Sequence, residues 1–324
     1  MPNLEMMAIG DSLYNGVRSL TISAQLAQWS VPAQVARALN IPFTVPDYPR
    51  NVVIDIEHWL RIFPDIAGVA EDVAANINFW LSKPKPPSNA VTFDNLSIAS
   101  TTYSDMYSRT WQTAENEIVQ LQQTYGSHLT DLGGPLGALF FAFNTRFILN
   151  PTGDTNKPAQ SPLDIIAERK PSRLLVSIGS NNGLWSICFD ATVGGFGPQD
   201  MSDMQELVKR LAGLPQDVKH IYVNALALPS TVSNLMPIPD NAINTKPGPG
   251  KFFTNYENSF GFKYGTLSGD QIAALNTKIA DVNEALIVAA KSDTRIHVVR
   301  TDQLLVDYDG KHRADAKVVQ VPFG

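Results

Sequence analysis

Ser12 stands directly after the apolar run Met6-Met7-Ala8-Ile9, in the block Gly10-Asp11-Ser12-Leu13. A serine that follows a first strand lies where open parallel sheets present reactive groups, at their carboxyl edge. If a helix starts there, the hydroxyl and backbone N–H of Ser12 share a positive helix end, which favours a developing oxyanion. Gly10 and Gly16 allow the backbone to turn tightly on either side. The plainer reading of the same block is a helix cap, since Asp and Ser are favoured caps in any fold.

Two further blocks could face the same chemistry. In Ser177-Ile178-Gly179-Ser180-Asn181-Asn182-Gly183 a strand-like run ends in a glycine and two asparagines. An asparagine at a strand's carboxyl end can aim its amide N–H at an oxyanion, and Asn181 is the better donor, with Asn182-Gly183 readable as a turn. In Asn95-Leu96-Ser97-Ile98-Ala99-Ser100-Thr101 small residues follow another apolar run, so a backbone N–H there can approach the oxyanion closely.

Taken in order, these blocks resemble the SGNH, or GDSL, hydrolase family, and the resemblance covers most of the chain. That family places a serine nucleophile in Gly-Asp-Ser, a glycine, an asparagine in Gly-x-Asn and a histidine in Asp-x-x-His at one site. Ser12 matches the first block and Asn181 the third. Ser100, with Ala99 as the alternative, stands where the family usually has glycine, and Asn182 where it usually has aspartate. The resemblance implies a serine esterase or lipase that forms an acyl-enzyme on Ser12. The oxyanion would be held by the Ser12 and Ser100 N–H groups and the Asn181 side chain. A small-molecule or lipid ester would be the substrate, with no cofactor and no metal.

A serine needs a base, and the five histidines are His58, His128, His220, His297 and His312. Asp309-Gly310-Lys311-His312 fits Asp-x-x-His after the last strand-like run, so Asp309 would orient the ring and His312 would take the Ser12 proton. The family's usual proline after this histidine is replaced by Arg313, and the 12 residues that follow His312 end in the extended-looking Val318 to Gly324. A second reading therefore stays open, in which the chain stops early and the true Asp-x-x-His lies beyond Gly324. The other four histidines sit where structural roles are expected.

Rival sites find less support. Gly-x-Ser-x-Gly is absent, and Gly248-Pro249-Gly250-Lys251-Phe252 lacks the Ser/Thr that a phosphate-binding loop needs after lysine. The bulky Leu13-Tyr14 after Ser12 argues against a phosphate cradle in a flavodoxin-like nucleotide binder. A rival of another class is a non-catalytic SGNH-fold protein that binds carbohydrate or lipid, because fold does not fix function.

The elements that must hold these residues are short apolar runs alternating with helical patterns. Met6 to Ile9, Val91 to Ile98, Leu174 to Ile178, His220 to Leu226 and Arg295 to Val299 read as five parallel strands. With the resemblance, they give the expected fold class: a three-layer α/β/α, flavodoxin-like, mostly parallel five-stranded sheet. A helix is expected from Ser268 to Ala290, where Ile272, Leu275, Ile279, Val282 and Leu286 make one face behind a Ser268/Gln271 capping box. Further helices are expected after Met201, with Ser202/Gln205 as cap, and after Ser161-Pro162. The Phe-rich stretch Gly137 to Leu149 reads as a core helix, with an acyl-binding wall as the alternative.

Composition bounds the rest. The 324 residues, 44% hydrophobic, can bury a sizeable core and are read as one domain with long inserts at about 15–88 and 227–267. Net charge is -6 from interspersed acids and bases, which leaves no basic stripe for nucleic acid. The lone Cys188 excludes an intramolecular disulfide and is read as a buried small residue. The apolar run near Met1 is too short for a signal-peptide core or a membrane span, so no membrane insertion and a cytoplasmic location are expected of the chain as written.

Overall fold

A computed structural model describes residues 4–18, 21–126, 135–184, 187, 196–232, 235–237, 252, 255–258, 266–312 and 315–318. It is a mixed α/β protein whose main sheet has four strands and is mostly parallel. These strands are β1 (Met6–Gly10), β2 (Arg173–Ser177), β3 (His220–Asn224) and β7 (Ile296–Val299), in the order β1-β2-β3-β7. β1 pairs in parallel with β2, Met6 opposite Arg173 and Gly10 opposite Ser177. Every residue of β1 is buried, so this run reads as continuously apolar rather than alternating.

The expected strand Val91 to Ile98 takes a different form. Residues 94–98 do lie along β1, through Ala8 N–H to Asp94 O at 2.9 Å, Leu96 N–H to Ala8 O at 2.8 Å and Ile98 N–H to Gly10 O at 2.8 Å. Only an isolated parallel bridge, Ala8 with Asn95, is regular. The Asn95 Oδ1 takes the intervening Ser97 N–H at 3.1 Å, a local bond that spends a donor not used toward β1.

The contacts resolve into two compact units where the sequence suggested one domain with inserts. Unit 1 is Met1–Ser177 with Gly213–Ile221, and unit 2 is Ile178–Ala212 with Tyr222–Gly324. Unit 1 contains α1 (Ser12–Asn15), α2 (Ala24–Gln28), α3 (Val31–Ala38), α4 (Ile56–Ile62), α5 (Ile66–Leu81), α6 (Asp105–Ser108), α7 (Trp111–Tyr125), α8 (Leu136–Leu149) and α9 (Pro162–Arg169). The long insert expected over 15–88 contributes directly to this unit's core. Its Tyr48, Val73, Ile77 and Trp80 pack in one buried cluster with Phe93, Phe140, Phe143 and Phe147.

α8 is accordingly a core helix. Phe147 stacks on Tyr48 at 5.1 Å and meets Trp80 edge-on at 5.3 Å, the favoured geometries for aromatic pairs. Its last turn carries Arg146, which bonds Glu115 of α7 at 3.0 Å and the Trp80 carbonyl, while Lys83 reaches the same Glu115 at 2.5 Å.

In unit 2 the expected helix and its capping box appear at Gly269–Ala290, with Ile272, Leu275, Ile279, Val282 and Leu286 buried. It packs against the helix Pro198–Ala212. That second helix begins earlier than expected, which leaves Ser202 inside it rather than at its cap. Pro198 suits a first turn, and the Asp200 carboxylate takes the Gly197 N–H at 2.7 Å. The third helix, α9, starts at Pro162 behind a Ser161/Asp164 capping box. From the second insert the structure describes a small antiparallel sheet of β4 (Leu235–Pro237), β5 (Asn255–Asn258) and β6 (Thr266–Ser268). Among the described residues, no helix is long and apolar enough to cross a membrane.

Candidate functional site

Ser12 is held by the way β1 ends. Gly10 lies so close to β2 that an added Cβ would sit 2.3 Å from the Ser177 carbonyl oxygen. The next N–H, from Asp11, bonds that same oxygen at 3.0 Å. Asp11 then caps α1, its carboxylate accepting the Leu13 N–H at 3.1 Å. Gly16 closes the turn at φ 99, where an added Cβ would meet the Leu26 carbonyl oxygen at 2.7 Å. Capping thus belongs to Asp11, which leaves the Ser12 hydroxyl to other uses.

The expected positive helix end is not what surrounds Ser12. α1 has four residues, a single turn, and too few aligned peptides for an appreciable macrodipole. The local resource is individual backbone donors. Among the described residues, neither the Ser12 N–H nor its hydroxyl has a hydrogen-bond partner, and the side chain is partly exposed.

Ser100 belongs to the same unit and to the turn that wraps the end of β1. The Gly10 carbonyl accepts both the Ile98 N–H at 2.8 Å and the Thr101 hydroxyl at 3.1 Å. Ser100 between them adopts φ 61, the left-handed region that favours glycine. This is the position at which the family pattern has glycine, and the backbone here keeps the glycine conformation with a serine in it. Its N–H has no partner among the described residues. Ala99, the alternative, has its N–H committed to the Asn144 side chain at 3.0 Å.

Asn181, Asp309 and His312 belong to unit 2. Asn181 lies on a 3₁₀ turn, Ser180–Asn182, set between Gly179 at φ 113 and Gly183 at φ 148. Asn181 is half-buried, whereas its neighbour Asn182 is buried and donates to Asp200 at 2.8 Å. The Asn182 side chain thus ties the turn to the helix Pro198–Ala212. Asp309 and His312 form the pair that their spacing suggested: Nδ1 of His312 lies 2.5 Å from Oδ2 of Asp309, both side chains nearly buried. Phe252 meets the imidazole edge-on at 5.4 Å, and Lys311 is drawn aside to the Val232 and Leu235 carbonyls.

Of the remaining expectations, His58, His220 and His297 are exposed, while His128, Cys188, Arg313, Gly248 to Lys251 and the last residues from Val319 lie outside the described residues. No group of three or more metal-ligating side chains occurs among the described residues.

Sequence reasoning missed the buried polar residues beneath the site. Asn15, Tyr48 and Asn144 are joined by hydrogen bonds across 33 and 96 positions. Burial pushes the Tyr48 phenol well above its usual range, the two amide donors opposing that rise, so it stays neutral. One signal was present: Asn144 interrupts the most apolar stretch of the chain, and a polar group there must find partners.

Comparison with protein-family models, curated proteins and solved structures finds no match. The motif blocks and the local geometry therefore carry the functional reading.

Proposed function

We propose that this chain is a serine esterase of the SGNH type that cleaves carboxylic esters through an acyl-enzyme on Ser12. The observation that carries the reading is the end of β1, where among the described residues the Ser12 hydroxyl and N–H have no partner, followed by a turn that keeps Ser100 at φ 61 with its N–H likewise without a partner among those residues. Two such donors are what a tetrahedral oxyanion requires. The Asp309–His312 contact at 2.5 Å supports the base assignment, because a carboxylate at Nδ1 orients the imidazole.

In this mechanism the Ser12 Oγ forms a bond to the ester carbonyl carbon as its proton passes to Nε2 of His312. The Ser12 and Ser100 N–H groups and the Asn181 amide stabilise the oxyanion. Collapse breaks the bond to the alcohol, which leaves with the proton from His312. Water then repeats the sequence, releasing the carboxylic acid and restoring Ser12.

Purified protein should hydrolyse p-nitrophenyl butyrate. Ser12→Ala and His312→Ala should each lower kcat by about 10³-fold or more, and the double variant should be no worse than the poorer single one, because triad members act as a unit. Undiminished turnover in Ser12→Ala would remove Ser12 from the mechanism and favour the non-catalytic binder. Multiplying losses would instead separate His312 from the step at Ser12.

A further inference from the structure

The hydrogen bonds beneath Ser12 and Ser100 close into a ring. Asn144, fully buried on α8, accepts the Ala99 N–H at 3.0 Å and donates to the Tyr48 hydroxyl at 2.7 Å. That hydroxyl also accepts from Asn15 Nδ2 at 3.1 Å, and the same Nδ2 donates to the Ser97 carbonyl at 2.7 Å. Asn15 is the last residue of α1, three beyond Ser12, and Ala99 directly precedes Ser100. The ring therefore ties the helix of the nucleophile to the turn that carries the second N–H.

Asn144 is bound at both ends of its amide. The Ala99 bond fixes Oδ1 of Asn144 and so directs Nδ2 at Tyr48, whose ring is clamped by Phe147 and Trp80. On the far side of Ser100 the Thr101 hydroxyl bonds Gly10 O and Ile98 O. A serine at φ 61 returns to extended backbone unless its surroundings hold it. Clamping Ala99 before it and Thr101 after it does so. Loss of the Ala99 clamp frees the peptide whose N–H is aimed by that conformation.

We infer that Asn144 is a positioning residue for the oxyanion turn, acting through the Ala99 N–H to hold the Ser100 N–H, with Tyr48 orienting its amide. The inference rests on the esterase reading above and adds to it the residues that set the spacing of its donors. A donor displaced by a fraction of an ångström is felt only when charge develops on the substrate oxygen, so the loss falls on kcat and not on KM.

The test measures kcat and KM with p-nitrophenyl butyrate, per active site counted by burst titration, for Asn144→Leu, Asn144→Asp, Tyr48→Phe and Ser12→Ala. Asn144→Leu removes the acceptor at similar volume and should lower kcat about 10- to 100-fold with KM unchanged within about twofold. Asn144→Asp keeps an oxygen for Ala99 and should recover most of that loss, a rescue that simple packing does not give. Tyr48→Phe deletes one atom and should cost about 3- to 10-fold in kcat, which keeps the idea testable if Asn144→Leu does not fold. Unchanged kcat per titrated site in Asn144→Leu or Tyr48→Phe, or a change in KM alone, overturns the inference. Activity that survives Ser12→Ala overturns the esterase reading itself, and the two failures are thereby told apart.

Discussion

Replacing Gly10 by alanine tests the way the end of β1 positions Ser12. The new Cβ would lie 2.3 Å from the Ser177 carbonyl oxygen, against the roughly 3.0 Å below which such contacts essentially do not occur, so β1 and β2 must part by about 0.7 Å. Both neighbours are backbone in a sheet, and neither can swing away as a side chain tip would. Overpacking of this kind costs about 1–3 kcal/mol. Strain on the Asp11 N–H bond to Ser177 adds about 0.5–1.5 kcal/mol, while the stiffer unfolded chain returns about 0.4–1 kcal/mol. The net expectation is a loss of about 2–3 kcal/mol. Ser12, two residues on, shifts with the strand, and at about 10²-fold per ångström of misplacement the turnover should fall on the order of 10- to 100-fold. Urea unfolding followed by tryptophan fluorescence, together with ester turnover, measures both. Gly137→Ala is the control: an added Cβ on α8 has no neighbour within 4 Å, so that variant should be as stable as the parent or up to about 1 kcal/mol more stable. If Gly10→Ala unfolds at the parent's urea midpoint, the argument from close approach fails.

Two other perturbations follow from single residues. Ser100→Gly removes the side chain from a left-handed position and should stabilise the protein by about 0.5–1 kcal/mol while keeping kcat within a few-fold, since the N–H donor remains; a calorimetric melt and the ester assay check it. Burial alone would raise the Glu115 pKa, but the hydrogen bonds and charges of Lys83 and Arg146 hold it below the usual carboxylate value. A depressed folded pKa means stability that is present above the unfolded value, about 4.3, and is lost as pH falls through the folded one. Glu115→Gln should therefore cost about 1–3 kcal/mol at pH 7, and parent and variant should converge in acid. Parallel unfolding curves from pH 7 to pH 3 would contradict this.

The readings that held in the structure are those whose physics is local. Ser12 after β1, the helix behind Ser161-Pro162, the Ser268/Gln271 capping box and the contact between Asp309 and His312 all depend on atoms within a few residues of one another. Spacing alone can encode such bonds, because a single turn of backbone brings i and i+3 together. The same locality explains the early start of the helix at Pro198, where Asp200 and Pro198 outweighed the Ser202/Gln205 pattern.

What the fold alone decided is at long range. Nothing in the order of residues says that Asn15, Tyr48 and Asn144 meet, since no spacing rule links positions 33 and 96 apart. Nor does a serine in place of a glycine announce φ 61; that conformation is imposed by Asn144 on one side and Gly10 on the other. Residues 91–98 illustrate the same division, apolar enough to read as a strand yet joined to β1 by an isolated bridge. The sequence determined which polar groups stand at the end of β1 and in the chain turns. Their orientation came from buried polar groups, which must find partners wherever the packed core happens to bring them.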